Sequence, residues 1–298
     1  MGGQLYLLHG ESKMLAGTDS STAQMSSTLQ YFTGADWLDL HFAAMQPECE
    51  AMVRWVGIEP GWCVLDAAAG SGSLLPLLTE LVGPHGAVSA IDLAPEKVAE
   101  IEERVRQANW SAPVEARTGS VTALPYVSGT FDAVWCANVT EYLTDDELRQ
   151  MLAEFRRVVR PGGLVAIKEW DNTGQLLLPG PPLLLTHLDE AALRAGDTWA
   201  HGLFRVAAIP QWLRAAGFRA IRQKPTLVLR FQPLRPVERR FICNMVRALT
   251  VQAEAVDLPA DELAAWRKLA ETDAEDHIVN DPDFQFRVVQ TVFVGQVP

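Results

Sequence analysis

The sequence predicts an α/β fold in which a mostly parallel sheet lies between two layers of helices. The stretch WCVLDAAAGSGSL, residues 62–74, has the pattern of a buried strand, a glycine turn and the start of a helix. Further strand and helix patterns alternate over residues 87–109 and 131–167. The chain ends in a strand pattern at 284–294 with no helix after it, so this strand can pair antiparallel with a predicted strand at 220–231.

The glycine turn is the first candidate ligand site. Glycines let a ligand approach the backbone, and the helix that follows offers free N–H groups and a positive dipole end to a pyrophosphate or a carboxylate. A dinucleotide fingerprint that began at Gly70 would need a third glycine at position 75, where the chain has Leu75. A second acid, Asp92, ends the next predicted strand, where it can accept both ribose hydroxyls of an adenosine.

The helices have recognisable boundaries. Residues 35–56 predict two helical pieces separated at Pro47, because proline breaks the backbone hydrogen bonding of a helix. A further helix is expected to begin at Ser73. Thr144 and Glu147 form a capping box that predicts the start of another helix.

Two motifs resemble one family. The segment D-A-A-A-G-S-G is similar to the first motif of class I S-adenosylmethionine (SAM) dependent methyltransferases, D/E-x-G-x-G-x-G, with Ala68 in place of the first glycine. The pair F-D-A-V-W and R-P-G-G-L-V-A-I looks like the fourth and fifth strands of the same family. The resemblance implies a Rossmann-like three-layer sandwich, with a seven-stranded, mostly parallel sheet, an antiparallel last strand and helical cap insertions.

The resemblance also implies a cofactor, SAM, a product, S-adenosylhomocysteine (SAH), and a set of binding residues. The methionine end would be held by Asp66, Ala68, Gly70 and Gly72, with Asn138 beneath it; the ribose by Asp92; the adenine by Leu93, Ser120 and Val121; and Tyr31 would reach over the site.

Methyl transfer from a sulfonium is an in-line displacement, so the alignment of donor and acceptor supplies much of the catalysis and a general base is optional. The candidate bases are Glu141, His187 and His201, with Glu169 and Asp171 after the fifth strand. Each also has a structural or solvent-facing interpretation. His41 lies in an apolar helix and is interpreted as a packing residue, and no metal site is expected.

The family resemblance divides the chain into core and insertions. We expect an N-terminal leader and lid helices at 1–59, a SAM-binding core at 60–171, a cap insertion at 172–208, more core at 209–232, a helical cap at 233–283 and a terminal core strand at 284–298. The leucine-rich insertions predict an apolar lid over the strand ends; a homodimer interface or a satellite core is the alternative.

Composition narrows the function. The chain has 298 residues, 48% of them hydrophobic, and its net charge of −12 disfavours nucleic-acid substrates. Four cysteines form no C-x-x-C pair, and neither a membrane span nor an export signal is expected, which favours a cytoplasmic protein.

These observations predict a SAM-dependent methyltransferase of secondary metabolism that acts on a small, fairly hydrophobic acceptor, natural-product-like or quinone-like. One alternative is a SAM-binding protein without methyl transfer, either a regulator or a cyclisation or rearrangement enzyme. A less favoured alternative is a nicotinamide-dependent oxidoreductase.

Overall fold

The computed structural model describes residues 35–298 and contains one seven-stranded sheet over that part of the chain. The strands are β1 (Cys63–Ala67), β2 (Ala87–Asp92), β3 (Val114–Thr118), β4 (Phe131–Ala137), β5 (Val159–Leu178), β6 (Arg219–Phe231) and β7 (Gln285–Gln296). Their order is β3-β2-β1-β4-β5-β7-β6. The first five strands pair in parallel, and β7 lies antiparallel between β5 and β6. The predicted fold class is confirmed.

Helices cover both faces of the sheet. They are α1 (Ala35–Val56), α2 (Leu75–Val82), α3 (Pro95–Gln107), α4 (Asp145–Val158), α5 (Leu184–Arg194), α6 (Thr198–Phe204), α7 (Ile209–Ala215), α8 (Pro236–Ala255) and α9 (Ala260–Ala270), with short 3₁₀ turns at Thr140–Tyr142, Arg205–Ala208 and Ile278–Asn280. The capping box of Thr144 and Glu147 at the start of α4 is confirmed.

Two hydrophobic cores form because successive strand residues point to opposite faces. Val64 belongs to the core under α1, α2, α8 and α9, whereas its neighbour Leu65 belongs to the core under α4 and α7. The same alternation continues along β5, where Ala166 lies in the first core and Ile167 in the second. By the same alternation, Lys168 lies on the face of the first core and Glu169 on the face of the second.

The predicted break at Pro47 is wrong, because α1 is continuous from residue 35 to residue 56. Pro47 and its neighbour Gln46 are exposed, so the proline lies on the solvent side of the helix. The opposite side of the helix buries Met45 and Met52 completely. That burial stabilises the helix across the proline. In contrast, α2 begins at Leu75, two residues later than expected.

The fifth strand is longer than the sequence indicated. It continues to Leu178, beyond the expected start of the insertion at 172, because β7 pairs with Leu164–Asp171 and again with Leu176–Leu178. A register shift between Asp171 and Leu176 accommodates the polar residues between these two positions. The helical part of this cap therefore begins only at Leu184. In the described part of the chain, no helix is both long enough and apolar enough to cross a membrane.

Candidate active site

The glycine loop at the end of β1 is built from left-handed residues. Ala68, Gly70 and Gly72 have φ angles of 59°, 55° and 74°. A Cβ at position 72 would lie 2.7 Å from Leu75 Cδ1, so glycine is required there for space as well as for conformation. Ala68 adopts the same region as an alanine, a conformation that costs about 1–2 kcal/mol for a residue with a side chain.

Asp92 connects this loop to the end of β2. The backbone N–H of Gly70 donates to Asp92 Oδ2 at 2.8 Å, and that of Ala94 donates to Oδ1 at 3.0 Å. An ionised carboxylate has about four acceptor positions, so two backbone bonds leave capacity for two ligand hydroxyls. The next residue, Leu93, is 72% exposed, so its side chain is free to contact a ligand at this edge of the sheet.

Asp66 lies at the end of β1 and is only 4% exposed. Burial raises the pKa of its carboxyl to about 7, and the negative charge of Asp92 raises it further. Because the negative charges of these two neighbouring carboxyl groups repel each other, the pair favours a ligand that carries a cation and hydroxyl donors. SAM carries an ammonium, a sulfonium and ribose hydroxyls, so the residues present fit this cofactor.

The remaining predicted adenine contacts follow β3, at the same edge of the sheet. Ser120 shares a hydrogen bond with Thr122 Oγ1 at 2.7 Å, and its Oγ also accepts from the Thr122 backbone N–H at 3.2 Å. Val121 is 9% exposed and packs into the second core. Tyr31, the predicted residue over the site, lies outside the described residues.

Asn138 and Lys168 form a unit at the ends of β4 and β5. Asn138 is left-handed, with a φ of 54°, and its backbone N–H donates to the Lys168 carbonyl at 2.8 Å. The Lys168 ammonium donates to Asn138 Oδ1, also at 2.8 Å, although Lys168 is only 1% exposed. Desolvation is the main effect on Lys168 and lowers its pKa. Sequence reasoning missed Lys168; the signal was a single lysine in the apolar strand L-V-A-I-K.

Glu141 and Glu169 form a buried carboxyl pair on the opposite face of the sheet ends. Glu169 Oε1 accepts from the backbone N–H groups of Thr140 at 3.0 Å and Val139 at 3.3 Å. Burial, followed by the charge of Glu169, raises the pKa of Glu141 well above its usual range. With both groups ionised, one buried oxygen of each lacks a partner, whereas a proton on Glu141 can be shared between them. Burial and the neighbouring charge therefore favour the protonated form of Glu141.

The other candidate bases are placed elsewhere. His187 Nδ1 lies 2.6 Å from Glu262 and joins α5 to α9, within the cap. His201 is exposed on α6, although α6 itself packs closely on Glu141 through Gly202. Asp171 accepts from the backbone N–H and hydroxyl of Thr173 in a local turn. The structure does not join these residues to the Glu141–Glu169 pair.

His41 is part of an aromatic cluster on the face that carries Lys168. Its ring lies 5.5 Å from the rings of both Trp170 and Phe241, which also approach Phe286. Burial, with a smaller contribution from Lys168, lowers the pKa of His41 to about 3, so the imidazole is neutral. The cluster places aromatic surface from α1, β5, α8 and β7 over the sheet.

Residues 64–163 match a family model described as a methyltransferase domain. This segment is therefore a methyltransferase domain, in agreement with the motifs that resemble class I SAM-dependent methyltransferases. A ubiquinone/menaquinone biosynthesis C-methyltransferase from Hahella chejuensis is 32% identical over 116 residues, which cover 39% of this chain and 46% of the relative. A 2-phytyl-1,4-naphtoquinone methyltransferase from Synechocystis is 30% identical over 125 residues, covering 42% of this chain and 52% of the relative. The chain thus spans about half the length of these curated relatives.

The methyltransferase domain also has solved structural neighbours. Phosphoethanolamine N-methyltransferase 2 from Haemonchus contortus matches with a TM-score of 0.55 and 14% identity, over 92% of this chain and 61% of that one. At this identity the similarity establishes the fold alone. The family's cofactor is SAM, in agreement with the fit of the Asp66 and Asp92 carboxyls.

Proposed function

We propose that the protein transfers the SAM methyl group to a small, fairly hydrophobic acceptor in a pocket at the carboxyl ends of the strands. The observation that carries this proposal is the left-handed loop of Ala68, Gly70 and Gly72 joined to the Asp92 carboxylate. The relatives named as quinone methyltransferases support an aromatic, apolar acceptor of this general kind.

In this proposal the chain's own residues bind and orient the reactants. Asp92 accepts the ribose hydroxyls, Leu93 packs on the adenine and Asp66 faces the ammonium. Bound SAM supplies the electrophilic methyl group. Asn138, fixed through both its backbone and its side chain by Lys168, supports the methionine part. The aromatic cluster around His41 excludes water from the acceptor, so alignment supplies most of the rate.

Calorimetric titration with SAH tests cofactor binding. Leu93→Ala is the sharpest variant because the side chain is exposed, so its loss leaves the core intact. Removing part of an adenine contact costs about 1 kcal/mol, or roughly a fivefold weaker Kd. Val127→Ala is the matched control, since Val127 is similarly exposed, at 79%, but lies in the segment after β3 and not at the end of β2. Binding of NAD without binding of SAH would refute the proposal.

Turnover of methyl-labelled SAM with a panel of small aromatic acceptors tests the transfer itself. The alternative, SAM binding without methyl transfer, predicts SAH affinity but no labelled product. One structural neighbour that shares the fold, with a TM-score of 0.51 and 18% identity over 84% of this chain and 80% of that one, is the [4+2]-cyclase SpnF. Cofactor affinity alone therefore does not establish transfer, and label in the product is the deciding readout.

A further inference from the structure

The face of the sheet under α1 carries buried N–H donors that have no acceptor among the described residues. Trp135 Nε1 on β4 and Gln290 Nε2 on β7 are both buried without a hydrogen-bond partner. Lys168 on β5, between them, uses one of its three donors on Asn138 and forms no ion pair within residues 35–298. Buried donors without an acceptor destabilise a fold, so the arrangement favours an occupant that supplies acceptors.

The register places these donors in one row. Trp135 pairs with Ala166 and Lys168 with Ala137, so Trp135 and Lys168 are diagonal neighbours on β4 and β5. Lys168 pairs with Val292 and Trp170 with Gln290, so Lys168 and Gln290 are diagonal neighbours on β5 and β7. Because all three belong to the face of the first core, their side chains rise from the same side of the sheet.

Among the described residues, the side chains of the first core around this row include aromatic rings and no carboxylate, since the Glu141–Glu169 pair that acts electrostatically on Lys168 lies on the opposite face. The Nε2 atom of His41 is also buried without a partner. The His41 ring packs on Trp170, which is the next residue of β5 after Lys168 on the same face of the sheet. The one carboxamide oxygen in the row, Gln290 Oε1, already faces the Cys49 thiol at 3.9 Å. What this arrangement lacks is an acceptor with negative charge and more than one oxygen.

We propose that Lys168, Trp135 and Gln290 form the subsite that binds the carboxylate of an aromatic acid, whose ring packs on Trp170, His41 and Phe241. A carboxylate offers two oxygens and about four acceptor positions, which suits donors supplied by three strands better than a single oxygen does. Asn138 is partly exposed at the strand ends, so one side chain separates the buried Lys168 ammonium from solvent. This assignment rests on the proposed function and specifies its acceptor class.

The test uses 2-naphthoate and 2-naphthamide, which have the same ring and differ in charge, titrated into the SAH-saturated protein. A hydrogen-bonded charge in a buried site is worth about 1.5–3 kcal/mol, so naphthoate is expected to bind roughly 10- to 100-fold more tightly than the amide. Lys168→Met should abolish this preference, because it removes the positive charge that distinguishes the acid from the amide. Gln290→Leu, a change on another strand, should reduce the preference by roughly 3- to 10-fold.

Lys224→Met is the matched control, because Lys224 is a lysine of β6 in the same sheet without a described ion pair, and the preference should survive there. Equal binding of acid and amide by the wild type, binding of neither, or a preference that persists in Lys168→Met would each overturn the subsite. Failure of SAH to bind in the first titration would instead refute the proposed function, so the two failures are distinguishable.

Discussion

Ala68 shows how the glycine loop tolerates a side chain where the family pattern has glycine. Its φ of 59° places it in the left-handed region, yet the turn keeps its hydrogen bonds. The N–H of Ala69 donates to the Ile91 carbonyl at 2.9 Å, and that of Gly72 donates to the Ala69 carbonyl at 2.9 Å. These bonds offset the conformational cost. The substitution therefore changes the intrinsic backbone energy of the loop and preserves its shape.

Glu141 makes the stability of the folded protein depend on pH. Its pKa is raised in the folded protein, so the native state retains a proton that the unfolded chain has released. The stability from this group is complete below the unfolded pKa and is lost as pH rises through the folded pKa. Glu141→Gln keeps a donor for Glu169 and removes the titration. We expect the free energy of unfolding of Glu141→Gln, minus that of the wild type, to increase as pH rises, by at most about 1.4 kcal/mol per pH unit.

Urea unfolding between pH 6 and 8.5 measures this difference. This range lies above the pI of about 5.0, so the protein keeps a net negative charge throughout. Glu147→Gln is the control. The backbone and side chain of Thr144 lower the pKa of Glu147, so it is ionised throughout this range in both states. Its loss should therefore give a stability difference that does not change with pH. A flat difference for Glu141→Gln as well would show that Glu141 is ionised in the native protein.

Sequence patterns predicted those helices and strands that local chemistry determines. Residues 131–137 became β4 as expected, and the antiparallel terminal strand was also correct. Tertiary contacts decided the misses: packing carried α1 through Pro47, and β7 extended β5 to Leu178. The cofactor loop was visible because its motif is local. Lys168 was not, because its significance arises from Trp135 and Gln290 on strands distant in sequence.

The first turns of α1 are joined to the glycine loop by one side chain. Asp39 Oδ1 accepts from the hydroxyls of Ser71 at 2.6 Å and Ser73 at 3.2 Å, and Arg104 binds the same carboxylate at 3.1 Å. Leu38 covers the loop, since a Cβ at position 70 would lie 3.3 Å from Leu38 Cδ1. The helix therefore restrains the segment that is proposed to hold the methionine end.

Asp39→Ala should loosen that restraint. We expect faster amide hydrogen exchange across residues 70–75 and SAH affinity weaker by roughly 3- to 10-fold, because one hydrogen-bonded carboxylate contributes about 1 kcal/mol or slightly more. Asp39→Asn is the matched control, since its amide oxygen can still accept from Ser71 and Ser73. Slow exchange in both variants would mean that the loop is ordered by Gly72 and its neighbours without α1.

The two hydrophobic cores of the protein lie on opposite faces of one sheet. β5 is central to this arrangement, because it pairs with β4 on one side and with β7 on the other. The cap helices α8 and α9 belong to the same core as α1 and α2, through residues such as Phe241 and Trp266, both fully buried. Cap and cofactor core should therefore unfold together, as one cooperative unit.

Ligand binding makes that cooperativity measurable. A ligand that binds only the native state stabilises it by about 2.7 kcal/mol at 100 times its Kd. For a cooperative unit of this size, the increase corresponds to roughly 5–10 °C in Tm. We expect SAH to raise a single calorimetric transition by this amount in the wild type and in Val127→Ala. At the same SAH concentration, Leu93→Ala should gain about 1 kcal/mol less stabilisation, because its Kd is weaker. Two transitions, of which SAH shifted only one, would show instead that the cap helices unfold independently of the sheet that binds the cofactor.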